Sequence, residues 1–88
     1  MELYYSEPKD LLPGVLLDKE SGKFEITGNS CPMEPFEFFN PILHWFETYS
    51  LNPLNNTVFE LNLNYFNTSS SKFILKILDL LEEIQNKG

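Results

Sequence analysis

The chain has 88 residues, enough for one domain with one modest core. Its formal net charge is −7 and its six Lys and Arg residues are scattered, so no basic patch is present for nucleic acid or for an anionic membrane. A single cysteine and a single histidine exclude an internal disulfide and a Cys/His metal cluster, and we expect no cofactor. The N-terminus lacks the basic and apolar regions of a secretory signal, which predicts a cytoplasmic location.

The first part of the chain predicts three short strands. Residues 2–6 are a candidate edge strand that ends before a proline. Residues 15–18 and 23–27 flank a turn at 20–22 and predict a β-hairpin. We expect Gly28 to end the third strand.

An aromatic helix is predicted next. Asn40 before Pro41 is typical of an N-cap followed by proline in the first turn, so the helix is expected to run from Pro41 to about Ser50. Residues 36–39 are either a turn before this helix or the near side of a kink in a longer one. Its apolar side chains form a stripe that is wider than one amphipathic face. Two interpretations stay open: the whole stripe is buried against a sheet, or Trp45 and Tyr49 face a protein partner.

The last part of the chain predicts one strand and one helix. Residues 57–66 alternate apolar and polar side chains, which predicts a strand with one buried face. The expected core-facing residues are Phe59, Leu61, Leu63 and Tyr65. Residues 72–87 have helical spacing, and Gly88 stands where a C′ glycine would.

Together these elements predict an α/β or α+β fold, with a small mixed β-sheet of about four strands packed against two main helices. The segment between residues 23–27 and 57–66 resembles a crossover connection, which would be right-handed if the two strands are parallel. We expect residues 1–88 to form a single domain.

No motif of an enzyme is present. The sequence has no Gly-rich phosphate loop, no G-x-S-x-G elbow and no H-E-x-x-H helix. His44 lies within the aromatic helix, and Cys31 has no recognisable base or cation beside it to activate it as a nucleophile. We therefore predict a protein that acts by binding, and a small hydrolase is the weakest of the alternatives.

Four consecutive hydroxyl residues occupy the junction between the last strand and the last helix. They are Thr68, Ser69, Ser70 and Ser71, and Asn67 precedes them. One serine is expected to cap the helix by accepting a hydrogen bond from its first turn. The other interpretation is phosphorylation, because a helix N-terminus favours a dianion and the added charge of about −1.5 to −2 would change what binds there. The composition does not select one hydroxyl.

Three segments occur in this order along the chain: GKFEITGNSCP, FFNPILHW and YFNTSS. Together they resemble the SiaC family of bacterial regulatory phosphoproteins, and the third segment is the most specific. The resemblance implies a fold like that of STAS-type anti-sigma-factor antagonists. Two positions depart from the family pattern: Cys31 replaces an aromatic residue, and Met33 alters a P-E-N sequence.

By this resemblance Thr68 is the phosphoacceptor. A Ser/Thr protein kinase would modify it, and a PP2C-type phosphatase would reverse the modification. The unphosphorylated form in this family binds and activates a diguanylate cyclase, which links the switch to cyclic-di-GMP and biofilm behaviour. The candidate partner contacts are Trp45, Tyr49, Tyr65 and Phe66.

Family members usually add a further strand and helix after the segment that corresponds to this chain. Without them a sheet edge would be open, which favours a homodimer formed by strand pairing. The alternative to a phosphoswitch is therefore a structural or oligomerisation module.

Overall fold

The computed structural model describes residues 2–87, which form one mixed sheet and two helices. The strands are β1 (Tyr4–Ser6), β2 (Gly14–Asp18), β3 (Lys23–Ser30) and β4 (Phe59–Phe66), and the helices are α1 (Pro35–Tyr49) and α2 (Thr68–Lys87). The strand order is β1-β2-β3-β4, with β3 and β4 parallel and the other pairs antiparallel. This confirms the predicted four-stranded mixed sheet with two helices. The predicted role of Gly88 as a C′ residue lies outside the described residues.

The core lies between one face of the sheet and the two helices. Inward side chains of β2 and β3 join side chains of both helices in a single buried cluster, so α1 and α2 cover the same face. Its members are Val15, Leu17, Phe24, Ile26, Phe39, Ile42, Trp45, Phe46, Tyr49, Ile77 and Ile84. Each large side chain removed from water contributes roughly 1.5–3 kcal/mol, so this cluster is the main source of stability.

Helix α1 begins six residues before the predicted start at Pro41. Pro35 occupies its first turn and Pro41 lies inside it, where the missing N–H costs one helical hydrogen bond. Phe39, in the added turn, is fully buried and stacks on Phe73 of α2 with ring centroids 5.1 Å apart. The prediction that Asn40 caps this helix is therefore wrong, because tertiary packing of the aromatic turn outweighs the local proline signal.

Strand β3 continues through Gly28 to Ser30, so the predicted end at Gly28 is wrong. Gly28 has a φ of 98°, which a glycine adopts without steric cost, and the strand bends there instead of stopping. The register with β4 shifts immediately afterwards: Leu63 lies opposite Gly28, while Tyr65 lies opposite Asn29. One residue of β4 is thus inserted as a bulge.

The bulge changes which aromatic residue at the end of β4 faces the helices. A shift by one residue reverses the inward and outward positions of a strand. Phe66, in place of Tyr65, lines a groove with Ile74 and Leu75 of α2. The prediction that Tyr65 faces the core is therefore wrong, and its side chain is 57% exposed.

Candidate functional site

The hydroxyl residues form the first turn of α2. The helix begins at Thr68, four residues before the predicted start at Lys72. The cap is Asn67, whose Oδ1 accepts a hydrogen bond from the backbone N–H of Ser70 at 2.9 Å. The expectation that a serine caps this helix is therefore wrong. Asparagine is among the best N-cap residues, so the sequence did contain the signal for this cap.

Ser70 points inward and links α2 to β3. Its side chain is fully buried, its Oγ donates to the carbonyl oxygen of Ser30 at 3.0 Å, and it accepts from Ser30 Oγ at 2.8 Å. Each hydroxyl of the pair is therefore satisfied away from water, as buried polar groups must be. Ser70 has a structural role and is out of reach of a modifying enzyme in this conformation.

The other three hydroxyl residues differ in exposure. Ser71 is half-buried, and its Oγ donates to the carbonyl oxygen of Thr68 at 2.7 Å. Thr68 and Ser69 are exposed. The run of four hydroxyls therefore divides into one buried link, one local backbone bond and two accessible side chains.

Asn67 is held from the strand side as well as from the helix. Its backbone N–H donates to the carbonyl oxygen of Ser30 at 3.1 Å, and its Nδ2 donates to Cys31 Sγ at 3.3 Å. Both ends of the carboxamide are thus engaged, which fixes the backbone direction just before Thr68. The thiol of Cys31 acts here as a hydrogen-bond acceptor for the cap residue.

Two of the four predicted partner contacts lie in the core. Trp45 is 8% exposed and Tyr49 is fully buried, and their rings stack with centroids 5.5 Å apart. Trp45 Nε1 donates to the carbonyl oxygen of Glu2 at 2.8 Å, and the Tyr49 hydroxyl lies 2.7 Å from Thr57 Oγ1. Their expected role as partner contacts is corrected to core packing, because both polar groups are satisfied inside the molecule.

The other two predicted contacts, Tyr65 and Phe66, are exposed. They end β4, directly before Asn67, and the exposed fraction of Phe66 is 52%. They stand on opposite faces of the strand because they are consecutive residues in it. The structure thus brings two exposed aromatic side chains and the exposed Thr68 together at the C-terminal end of β4.

The described residues were compared with the side-chain clusters that bind metal ions and with the helices that cross membranes. Within residues 2–87, no three His, Cys, Asp or Glu side chains converge as the ligands of a metal ion would. Over the same residues, neither helix is both long enough and apolar enough to cross a membrane. The candidate site is therefore built from hydroxyl, carboxamide and aromatic groups.

Comparison with known sequences gives a consistent assignment over nearly the whole chain. Residues 6–88 match a family model described as SiaC family regulatory phosphoprotein. An uncharacterized protein of Pseudomonas aeruginosa strain UCBPP-PA14 is 34% identical over 76 residues. That match covers 86% of this chain and 60% of the relative, so the chain spans about three fifths of that relative's length.

Solved structures match the fold closely. Apo-SiaC from Pseudomonas aeruginosa superposes with a TM-score of 0.92 at 31% identity, over all of this chain and 73% of that one. SiaC in complex with the diguanylate cyclase SiaD, which it activates, superposes with a TM-score of 0.89 at 30% identity. That match covers 97% of this chain and 70% of the other. The four-stranded mixed sheet with two helices is thus the architecture of the part of SiaC that this chain matches.

Proposed function

Because the chain belongs to the SiaC family of regulatory phosphoproteins, we propose that it is a non-enzymatic signalling protein that regulates a diguanylate cyclase. Through the cyclase it acts on cyclic-di-GMP and biofilm behaviour, in the cytoplasm. Phosphorylation of Thr68 by a Ser/Thr protein kinase weakens the binding, and a PP2C-type phosphatase restores it. The unphosphorylated form is the one that binds.

The observation that carries this proposal is the division of the hydroxyl run. A kinase and a phosphatase both need a hydroxyl that projects into solvent, and Thr68 does so while Ser70 is buried. Thr68 is also the first residue of a 20-residue helix, and Asn67 holds its backbone in place. An enzyme would meet a well-ordered acceptor on an accessible turn.

The local electrostatics favour a phosphate at this position. The first turn of a helix carries partial positive charge, which stabilises an anion there by about 0.3–1 kcal/mol. Lys72 is exposed one turn later on the same helix. The modification therefore keeps the fold while adding about −1.5 to −2 charge to a chain that already carries −7.

The position of the exposed aromatic residues explains how such a charge would control binding. A partner that covers Tyr65 or Phe66 comes close to Thr68, which follows them within three residues of the chain. The cores of protein interfaces are apolar and depleted of charge, and a dianion at their margin must lose hydration or find new donors. Phosphorylation therefore opposes docking over this end of β4.

Phosphopeptide mapping tests the acceptor. The chain is incubated with the cognate kinase and ATP, and intact mass and peptide maps are compared for wild type, Thr68→Ala and Ser69→Ala. We expect one phosphate on wild type and on Ser69→Ala, and none on Thr68→Ala. Unchanged modification of Thr68→Ala would remove Thr68 from the proposal, and Ser69→Ala serves as the matched control because Ser69 is also exposed.

A further inference from the structure

A groove separate from the hydroxyl turn lies between the loop before β2 and the start of α1. We call it the β2–α1 groove; residues 9–12 line one side, and residues 32–34 with Glu37 and Phe38 line the other. Its volume is about 660 Å³. Strands β2 and β3 are antiparallel, so the residues before β2 and the residues after β3 meet at the same end of the sheet. Among the described residues, those that line the groove belong to neither β4 nor α2, so its shape is set by the segments that flank β2 and β3.

Backbone hydrogen bonds hold the two sides of the groove in place. The Cys31 N–H donates to the carbonyl oxygen of Leu11 at 2.8 Å, which joins the two sides. The Lys9 N–H donates to the carbonyl oxygen of Leu12 at 2.9 Å, which closes the loop before β2. Pro32 lines the groove and is itself buried. The groove is therefore formed before any partner binds, and a partner does not have to order these segments.

The apolar side chains of the groove are accessible to a partner. The exposed fraction is 89% for Met33 and 54% for Leu11, and Leu12 and Phe38 are half-buried. Exposed apolar side chains that lie together mark an interaction surface. Methionine is flexible and polarizable, so it adapts its shape to the apolar groups of a partner. The interior of the groove therefore fits apolar side chains.

The charged side chains of the groove are mainly acidic. Asp10, Glu34 and Glu37 contribute three exposed carboxylates, whereas Lys9 contributes one ammonium group. Complementary charge at an interface speeds association and disfavours partners of like charge. The occupant that matches the groove therefore presents apolar side chains to its interior and Lys or Arg to its margin.

We propose that the β2–α1 groove is a docking site for a segment of a protein partner in which apolar residues are flanked by Lys or Arg. An apolar side chain of the segment contacts Leu11 and Met33, and its basic side chains pair with Glu34 and Glu37. A second copy of this chain is disfavoured, because two chains of net charge −7 repel each other. The proposal does not depend on phosphorylation of Thr68.

Peptide selection tests the kind of segment that binds. A random peptide library displayed on phage is selected on the wild-type protein, and isothermal titration calorimetry measures Kd for the strongest selected peptide. We expect the selected sequences to combine apolar residues with Lys or Arg. Replacing the basic residues of that peptide with Glu, or its apolar residues with Ser, should raise Kd by at least about tenfold. Selected peptides without Lys and Arg, or a selection that enriches no peptide, would overturn the proposal.

Variants of the chain test whether the selected peptide occupies the groove. Met33→Ser should raise Kd by at least about tenfold, because it removes the most exposed apolar side chain of the groove. Leu51→Ser is the matched control and should bind like wild type, because Leu51 is 82% exposed and lies outside the groove. Circular dichroism should show both variants folded. A Met33→Ser variant that binds as tightly as wild type would contradict the proposal.

A pair of double variants tests the charge at the margin of the groove. Glu34→Gln with Glu37→Gln removes two carboxylates from the groove, and Glu82→Gln with Glu83→Gln removes two from the second half of α2. Both change the net charge equally, so a difference between them reports the position of the charge. The first should raise Kd by at least about tenfold, and the second by less than about twofold. Equal effects would show that the peptide responds only to net charge, which would overturn the proposal.

Sedimentation velocity tests the competing occupant, a second copy of this chain. Wild type and Met33→Ser are expected to sediment alike at every protein concentration. A mass that rises with concentration in wild type, and does not rise in Met33→Ser, would show that the groove binds a second copy. The proposal of a basic and apolar partner segment would then be wrong.

Discussion

At the scale of single residues, the hydroxyl side chains in the first turn of α2 point in different directions. The side chain of Ser70 points inward and is hydrogen-bonded to Ser30, while the side chain of Thr68 is exposed. Asn67 separates the strand from the helix and sets this division, because its carboxamide fixes the first turn. The exposed hydroxyl of Thr68 and the cap residue Asn67 that supports it therefore occupy neighbouring positions. A substitution at one of them can be tested separately from a substitution at the other.

The cap leads to a stability prediction. Asn67→Ala removes the acceptor for the Ser70 N–H and the donor to Cys31, so the free energy of unfolding should fall by about 1 kcal/mol. Urea denaturation followed by circular dichroism measures the change. Asn62→Ala, on the exposed part of β4, is the control and should stay within about 0.5 kcal/mol of wild type. Equal stability of the two variants would contradict the assigned cap.

At the scale of elements, the sequence predicted type and order well and predicted boundaries poorly. All four strands and both helices were expected in the observed order, because period-two and helical spacing are strong local signals. The start of α1 was left open between Pro41 and a longer helix kinked there, because the proline signal opposes the turn that buried Phe39 stabilises. The bulge in β4 was missed because a register shift depends on the neighbouring strand.

The contact between β3 and α2 yields a second prediction. Ser70→Ala leaves the buried Ser30 hydroxyl without its acceptor, which should lower the free energy of unfolding by about 1–3 kcal/mol. Ser30→Ala should have a smaller effect, because Ser70 Oγ still donates to the backbone carbonyl of residue 30. Thermal unfolding of both variants, with exposed Ser69→Ala as the control, measures the difference. A Ser30→Ala variant less stable than Ser70→Ala would contradict this account.

At the scale of the whole molecule, the parallel pairing of β3 and β4 assembles the site. It places the C-terminal ends of both strands at the same edge, so Ser30 and Ser70 meet although 40 positions separate them in the chain. The family resemblance was enough to single out Thr68. The supporting contacts of Ser30 and Cys31 could not be predicted, because only the tertiary pairing of the strands creates them.

The one-sided architecture determines which aromatic side chains stay exposed. Four aromatic residues of α1 are buried in the core (Phe39, Trp45, Phe46 and Tyr49), whereas Tyr65 and Phe66 at the end of β4 are exposed.

The most direct test of the phosphoswitch is a titration of the cognate diguanylate cyclase with unmodified protein and with protein fully phosphorylated at Thr68, by isothermal titration calorimetry. Treatment with the phosphatase provides the reversal, and Ser69→Ala is the control that should bind like wild type. We expect phosphorylation to raise Kd by at least about tenfold, equivalent to about 1.4 kcal/mol, and dephosphorylation to restore the original value. Equal affinity of the two forms for the cyclase would contradict it.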